Sequence, residues 1–294
     1  MNKRELKHAM SIDVEDYYQV SAFETLIDRD DWHKWPSRVE ANTAQLLAFY
    51  AQRNIQATFF VLGAVADQYP HIVKDIAAAG HEIACHGFSH RLIYNQSQDV
   101  FREETLRSKH LLQDLSGQPV NGYRAASYSI TRDSLWALDI LVEAGFTYDS
   151  SIFPVYHDRY GIPDAPREVH IAETANGNRL TEIPMSTTRL GKLRIPIAGG
   201  GYFRLYPYWL TRWLWRKAIQ QTGSSQVFYL HPWEIDPDQP RVENAPLSTR
   251  LRHYMNLARC EKRLDSLTQD FPFTTMQSLV DDTDIEQLPV YRYQ

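Results

Sequence analysis

The sequence predicts an α/β protein built on a parallel sheet. Three observations carry this expectation. Short apolar runs alternate with amphipathic helical stretches through the first 150 residues. Ala57 to Leu62 is a continuous apolar run, the pattern of a strand buried on both faces. The composition, 43% hydrophobic and 23% charged, is that of an ordinary globular chain. Strand, helix, strand at this spacing means parallel pairing through helical crossovers, which leaves an open doubly wound sheet or a barrel. Both architectures put functional residues at the carboxyl ends of strands.

The elements follow in order. Ala9 to Val14 reads as the first strand. Ser37 to Arg53 reads as a helix opened by Pro36 and a capping box of Ser37 and Glu40, with Val39, Leu46, Leu47 and Tyr50 inward. Ala57 to Leu62 is the second strand. Ala64 to Ala79 is helical, broken near Pro70 and stopped by Gly80. Glu82 to Cys85 is a strand, Ser97 to Leu115 a helix stopped by Gly117, and Gly122 to Ala125 a short strand. Thr131 to Ala144 is a helix stopped by Gly145, and Phe146 to Asp149 the next strand. Beyond residue 150 the rhythm changes. Ser150 to Gly201 is rich in Pro, Gly, Thr and Arg and reads as hairpins or irregular excursions. Pro207 to Gln221 is helical, Val227 to Leu230 a strand, Leu247 to Gln269 one long helix, and Phe273 to Met276 a last strand.

Composition excludes several classes of function. The net charge is −5, so the chain has no general attraction for nucleic-acid phosphate. No run of about 18 apolar residues spans a membrane. Met1 to Met10 is polar and lacks the apolar segment of a secretory leader, although a trimmed start would look the same. Only Cys85 and Cys260 are present, which is no disulfide framework and fits a reducing, cytoplasmic compartment.

Four predicted strands end in polar groups: Asp13-Val14-Glu15-Asp16, His86-Gly87-Phe88-Ser89-His90, Asp149, and His231. Parallel strands in one sheet would bring these ends to one rim. Each has an ordinary reading, as a solvated turn, a chance histidine pair, a capping carboxylate or a packed core imidazole. Their coincidence at strand ends favours a site. Two imidazoles, one carboxylate and a water form an open catalytic site for a divalent metal, which activates the water and polarises a carbonyl.

These residues resemble the NodB-homology polysaccharide deacetylases, carbohydrate esterase family 4, over roughly 9–234. The family's motifs are matched in order by Asp13-Val14-Glu15-Asp16, by His86 and His90, by Arg124-Ala125-Ala126-Ser127-Tyr128, by Tyr148-Asp149-Ser150-Ser151 and by Leu230-His231. Finer detail resembles a subgroup encoded with exopolysaccharide assembly and exosortase systems, which carries an extra C-terminal region. The resemblance implies a distorted (β/α)7 barrel. It implies a catalytic domain over 1–240, with an irregular insertion at 150–205, and an extension over 241–294 packed on the barrel.

The resemblance also implies roles. Asp13 is the general base, His86 and His90 are metal ligands, and His231 is the general acid. Val14 stands where the family has a second Asp. Strand alternation puts Glu15 on the side of Asp13, so Glu15 is taken as the third ligand, with Asp16 as runner-up. Arg124 orients Asp13, and Asp149 would orient His231. A backbone N–H near Tyr128 would help hold the oxyanion. The metal implied is Zn2+, with Co2+, Ni2+ or Fe2+ accepted by the same donors.

The aromatic content, 12% with 7 Trp and 17 Tyr, suits a sugar groove. Tyr128, Tyr202, Arg204 and Trp233 are the substrate-binding candidates, with Tyr17, Tyr18 and Phe203 as further wall residues. Arg204 would meet an anionic group such as a lipid diphosphate. The segment Tyr206 to Trp215 has three readings: core, subunit contact, or membrane surface. The expected reaction is removal of N-acetyl groups from N-acetylhexosamine units of a bacterial exopolysaccharide or its lipid-linked oligosaccharide precursor. Expected associations are the glycan, the inner membrane face or an exopolysaccharide synthase, and a second copy of the chain. The rival is an amidohydrolase of the same superfamily acting on a small cyclic amide, imide or ureide.

Overall fold

The computed structural model describes residues 6–157 and 159–293. Residues 1–5, part of the stretch read for a leader, lie outside them. In chain order the elements are β1 (His8–Val14), α1 (Val39–Arg53), β2 (Thr58–Val61), α2 (Gly63–Gln68), α3 (Pro70–Ala78), β3 (Glu82–Cys85), α4 (Gln98–Ser116), β4 (Gly122–Tyr123), α5 (Trp136–Glu143) and β5 (Tyr148–Asp149). Then come β6 (His170–Glu173), β7 (Arg179–Glu182), β8 (Thr187–Leu190), β9 (Leu193–Pro196), α6 (Gly200–Leu205), α7 (Tyr208–Thr222) and β10 (Val227–Leu230). The chain ends with α8 (Leu247–Tyr254), α9 (Leu257–Asp270), β11 (Phe273–Thr274), α10 (Met276–Asp281) and β12 (Val290–Arg292).

The main sheet runs β10-β1-β2-β3-β4-β5-β7, with every neighbouring pair parallel. These seven parallel strands are consistent with the distorted (β/α)7 barrel that the resemblance implies. The hydrogen-bonded path stays open. Beside β10 the next contact is a single bridge between Gly199 and Tyr229, with the Tyr229 N–H donating to Ala198 at 2.7 Å. Gly199 has φ +137°, and a Cβ there would meet the Tyr229 carbonyl oxygen at 1.9 Å, so no other residue allows this approach.

Alternation sorts the strands. Met10, Ile12, Val14, Phe59, Val61, Ile83, Cys85, Phe228 and Leu230 pack outward under the helices. Ala9, Phe60, Ala84, Tyr148, Val227 and Tyr229 pack together on the inner face. The polar inner-face residues Ser11, Asp13 and Arg124 continue this parity.

Several expectations are corrected. Arg179–Glu182, within the stretch read as hairpins or irregular excursions, does form a hairpin with β6, and what the reading missed is that it is also the seventh strand of the main sheet. A hairpin strand there shows the same alternation as any half-buried strand, so periodicity does not reveal its sheet. The helix expected over 247–269 breaks at Asn256, which takes a left-handed conformation (φ +57°) between α8 and α9. Helix α1 starts at Val39 with no side-chain cap of its own. Ser37 is no cap: its hydroxyl donates to Asp16 at 2.7 Å, and the Arg38 and Val39 N–H groups donate to the same Asp16 oxygen at 2.8 and 3.1 Å. Asp16 caps α1 from another part of the chain.

The C-terminal residues are woven into the sheet. β11 pairs with β1, and β12 with β6. Between them α10 closes the amino-terminal end of the inner face. Its Met276 N–H donates to Thr58 at 2.7 Å, and the Gln277 N–H donates to Glu82 at 3.0 Å.

Two buried imidazoles support these joins as acceptors. His8 Nδ1 accepts from the Gln226 N–H and His81 Nδ1 from the Ala57 N–H, each at 3.1 Å. Burial lowers both pKa values to about 4. The folded chain holds both rings neutral, whereas the unfolded chain binds protons from the ordinary value of about 6.5. The stability they support is therefore complete above about 6.5 and is lost as the pH falls toward 4. Urea midpoints measured across that window should fall steadily with pH, and His81→Gln should flatten the decline.

Candidate metal centre and active site

The first arm of the site comes from β1. Asp13 is the last inward residue of the strand, and Glu15 follows as the chain turns, with its N–H on the Asp13 carbonyl. The second arm follows β3. His86 leaves the strand on the inner face, and the turn Gly87 to His90 is held by its neighbours. The first two N–H groups of α2, from Gly63 and Ala64, donate to the Gly87 and Phe88 carbonyls at 2.8 and 2.9 Å. Arg29 holds the Ser89 and His90 carbonyls at 2.8 and 3.2 Å. Gly63 is required here, since a Cβ would meet Phe88 at 2.4 Å and Ser108 at 2.3 Å.

One ligand-type atom from each of Glu15, His86 and His90 lies within 4.8 Å of the others, and all three residues are buried. His86 Nδ1 is bound to the Arg124 carbonyl at 2.8 Å, which directs Nε2 to the cluster. His90 Nε2 stands 2.7 Å from Glu15 Oε2. That oxygen nevertheless has no hydrogen-bond partner among the described residues. Ligand-type atoms this close together are what the ligands of one cation present. The ionisation states agree with this. Burial lowers His86 to about 4, keeping it neutral. Burial works to raise Glu15, but His90 and His231 outweigh it and lower it to about 2. An ionised carboxylate and two imidazoles fit a divalent cation such as zinc.

Asp13 lies on one flank. Arg124 Nη1 donates to its Oδ1 at 2.6 Å and to Ser11 at 2.9 Å. The guanidinium also reaches the Ser150 carbonyl and hydroxyl at 3.3 and 3.2 Å and sits 4.0 Å over the Phe60 ring. The Tyr128 hydroxyl donates to Asp13 Oδ2 at 3.5 Å. Ser127 and Tyr128 both have positive φ, a strained pair that brings this phenol inward. Tyr128 N–H is already bound to Ala125, so this group does not serve as an oxyanion donor.

His231 lies on the other flank, its Nε2 4.0 Å from Asp13 Oδ2 and 3.4 Å from Glu15 Oε1. Its partner is Glu234, whose Oε1 is 3.0 Å from His231 Nδ1 across a 3-10 turn. Burial opposes the His231 charge, yet Glu15 and then Glu234 push its pKa up to about 9. Trp233 stacks between His231 and His253, at ring-centroid distances of 5.1 and 4.2 Å, and its N–H points to Glu15 at 3.5 Å.

The structure therefore gathers Asp13, Glu15, His86, His90, Arg124, Tyr128, His231 and Trp233, brings Arg204 to the wall of the same cavity, and leaves Asp149 and Tyr202 elsewhere. Asp149 lies on the opposite face of β5 from Tyr148 and Ser150. It accepts from Ser151, whose hydroxyl accepts from the Ala125 N–H at 2.8 Å. Its neighbour is Glu182, which burial and Asp149 hold well above the carboxylate range, so Glu182 keeps the proton. Arg204 is buried, its guanidinium donating to the His253 and Met255 carbonyls at 2.7 and 3.0 Å and standing 3.7 Å from Glu234. It braces Glu234, it lines the cavity, and its Nε has no hydrogen-bond partner among the described residues. Tyr202 packs toward Tyr206, apart from the residues that line the cavity. Asp16, the alternative ligand, is spent on the α1 cap. Tyr17, Tyr18 and Phe203 are core. Cys85 faces outward, and burial pushes its thiol up to about 12. Glu234 escaped notice in the sequence, although its place three residues after His231 is the spacing of a single turn.

An open cavity of about 310 Å³ lies above these groups, walled by Val20, Tyr128, His157, Tyr160, Tyr229 and Trp233 among others.

Comparison with known proteins agrees with this geometry. Residues 29–148 match the family model described as polysaccharide deacetylase, and residues 150–281 match a domain of unknown function, DUF3473. The chain is 34% identical over 98 residues to a peptidoglycan-N-acetylglucosamine deacetylase of Bacillus cereus, covering 33% of this chain and 36% of that protein. It is 30% identical over 130 residues to a peptidoglycan deacetylase of Helicobacter pylori, covering 42% of each. Each match thus spans well under half of the curated relative. A solved structure from Mycobacterium smegmatis, assigned as a polysaccharide deacetylase, aligns over 98% of this chain and 95% of its own at 19% identity and a TM-score of 0.62. The fold is that of the Mycobacterium smegmatis structure, and the sequence matches support a likeness to polysaccharide deacetylases over residues 29–148.

Removing one member of a buried ion pair leaves a charge with neither water nor partner. Arg124→Met should therefore destabilise the protein by roughly 3–5 kcal/mol in urea unfolding, and adding Asp13→Asn should recover part of the loss.

Proposed function

We propose that this chain is a metal-dependent hydrolase that removes N-acetyl groups from N-acetylhexosamine units of a glycan. The observation that carries the reading is the Glu15–His86–His90 cluster with Asp13 on one flank and His231 on the other. The named relatives act, by their names, on peptidoglycan or chitooligosaccharide. We take the substrate here to be a bacterial exopolysaccharide or its lipid-linked precursor, and the metal to be zinc. The likeness to the exosortase-associated subgroup belongs to the same proposal. So does the division into a catalytic unit over 1–240 and an extension over 241–294. The two free, buried cysteines suit a reducing, cytoplasmic setting.

A divalent cation bound by Glu15, His86 and His90 would polarise the acetyl carbonyl and acidify a water. The chain supplies the proton transfers. Asp13, fixed through one oxygen by Arg124, keeps the other toward the cavity and takes a proton from the attacking water. His231, charged and oriented by Glu234, gives a proton to the leaving amine through Nε2. Tyr128, held neutral by burial, can donate a hydrogen bond at the same centre. The open cavity favours an extended glycan over the small cyclic amide of the rival reading.

The test is acetate release from N-acetylated oligosaccharides by the zinc- or cobalt-loaded protein. Asp13→Asn should abolish turnover with metal content nearly unchanged, whereas His86→Ala should lose the metal. No acetate from any amino-sugar substrate, with metal bound, would refute the substrate class. Glu234→Gln should lower kcat with little change in KM or metal content, because it acts only through His231.

A further inference from the structure

Residues 183–233 contain seven Lys or Arg and no Asp or Glu, in a chain whose net charge is −5. This stretch includes β8, β9, α6, α7 and β10. Helix α7 carries the centre of it. Arg204 is buried and Arg194 donates to the Pro154 and Ala165 carbonyls, so the cations that reach the surface of α7 are Arg212, Arg216 and Lys217.

The aromatic residues of α7 divide between two environments. Trp215 is core, its indole N–H donating to the Ile197 carbonyl at 2.9 Å. Trp209 and Trp213, one turn apart on the outer face, are 70% and 48% exposed. Leu205, at the end of α6 just before them, is 50% exposed. Single exposed apolar residues need no explanation, but two tryptophans one turn apart with an exposed leucine just before their helix do. The bases are interleaved with them. Arg216 is exposed, and the Lys217 ammonium lies 5.2 Å from the Trp213 ring. Arg212 pairs with Asp270 at 2.7 Å, and Arg216 stands 4.0 Å from the same carboxylate, so one acid answers this group.

The surface adjoins the cavity mouth. Gly201, four residues before Leu205, lines the cavity. Across the Arg204 contacts to His253 and Met255 lies α8, where cavity residues Thr249 and Arg252 alternate with Leu247 and Leu251, which are 70% and 61% exposed.

We infer that the Trp209–Trp213 face of α7 docks on an anionic bilayer surface, beside the mouth of the cavity. Indole rings settle at the boundary between lipid headgroups and acyl chains, and interleaved Lys and Arg are drawn to anionic headgroups. An uncharged protein partner would leave the exposed Arg216 and its neighbour Lys217 unanswered. No helix among the described residues crosses a membrane, so the contact is peripheral. A glycan carried on a lipid would then meet the cavity at the surface where it is anchored. Docking itself does not depend on the deacetylase reading.

The experiment is co-sedimentation and tryptophan emission with vesicles of mixed phosphatidylglycerol and phosphatidylcholine, against phosphatidylcholine alone. The protein should bind the anionic vesicles with a blue-shifted emission, and raised salt should weaken binding. Trp209→Ser with Trp213→Ser, both at exposed positions, should lower affinity about tenfold or more with unchanged thermal stability. Arg216→Glu with Lys217→Glu should act in the same direction. Asp13→Asn should bind as the parent does, which separates docking from turnover. Absence of vesicle binding, equal binding to both vesicle types, or no effect of the tryptophan substitutions would overturn the inference. So would a dimer in solution that the same substitutions dissociate, since a second copy would then cover the face.

Discussion

Arg124 is the residue on which the rest of the site depends. It has no solvent contact, and a guanidinium in that position is tolerated only if its donors are answered. Ser11, Asp13 and Ser150 answer them from β1 and from the end of β5, so satisfying one charge ties the strands into a fixed register. The same residue's carbonyl binds His86 Nδ1. One position thus orients Asp13 through its side chain and His86 through its backbone. Neither role can shift without the other.

Strand alternation made much of this arrangement legible in the sequence. Asp13, Glu15, His86, Arg124 and His231 all share the inner parity of their strands. Asp149 does not, and its expected part beside His231 fails for that reason alone. Applying the same parity to β5 would have selected Ser150, which does face Arg124. Glu234, Arg204 and Trp233 were harder to read. Their roles arise in a 3-10 turn and in contacts between segments some 30 to 50 residues apart, where no period operates. Composition marks Arg204 only as a cation near glycines. Whether it faces solvent or two buried carbonyls is decided by how α8 ends.

The late part of the chain finishes the architecture and one flank of the site together. β11 and α10 close the end of the inner face away from the cavity, through Thr58 and Glu82. The break at Asn256 lets α8 present the His253 and Met255 carbonyls to Arg204, and His253 stacks on Trp233. An extension that merely covered the sheet would leave Glu234 and the His231–Trp233 stack without support.

Charge balance sets what the candidate cluster can hold. Asp13 is answered by Arg124, and Glu234 by His231 with Arg204 beyond it. Glu15 is left with a neutral His86, with His90, and with a share of His231. His231 therefore serves two carboxylates, Glu234 through Nδ1 and Glu15 through Nε2. The nitrogen that faces the cavity is the one drawn to Glu15. A positive charge held by Glu15 and the two imidazoles would relieve that demand and leave Nε2 free to turn toward a substrate. The ionised carboxylate, the neutral His86 and the doubly claimed His231 thus form one electrostatic system, and a cation at the candidate site would be felt by all three.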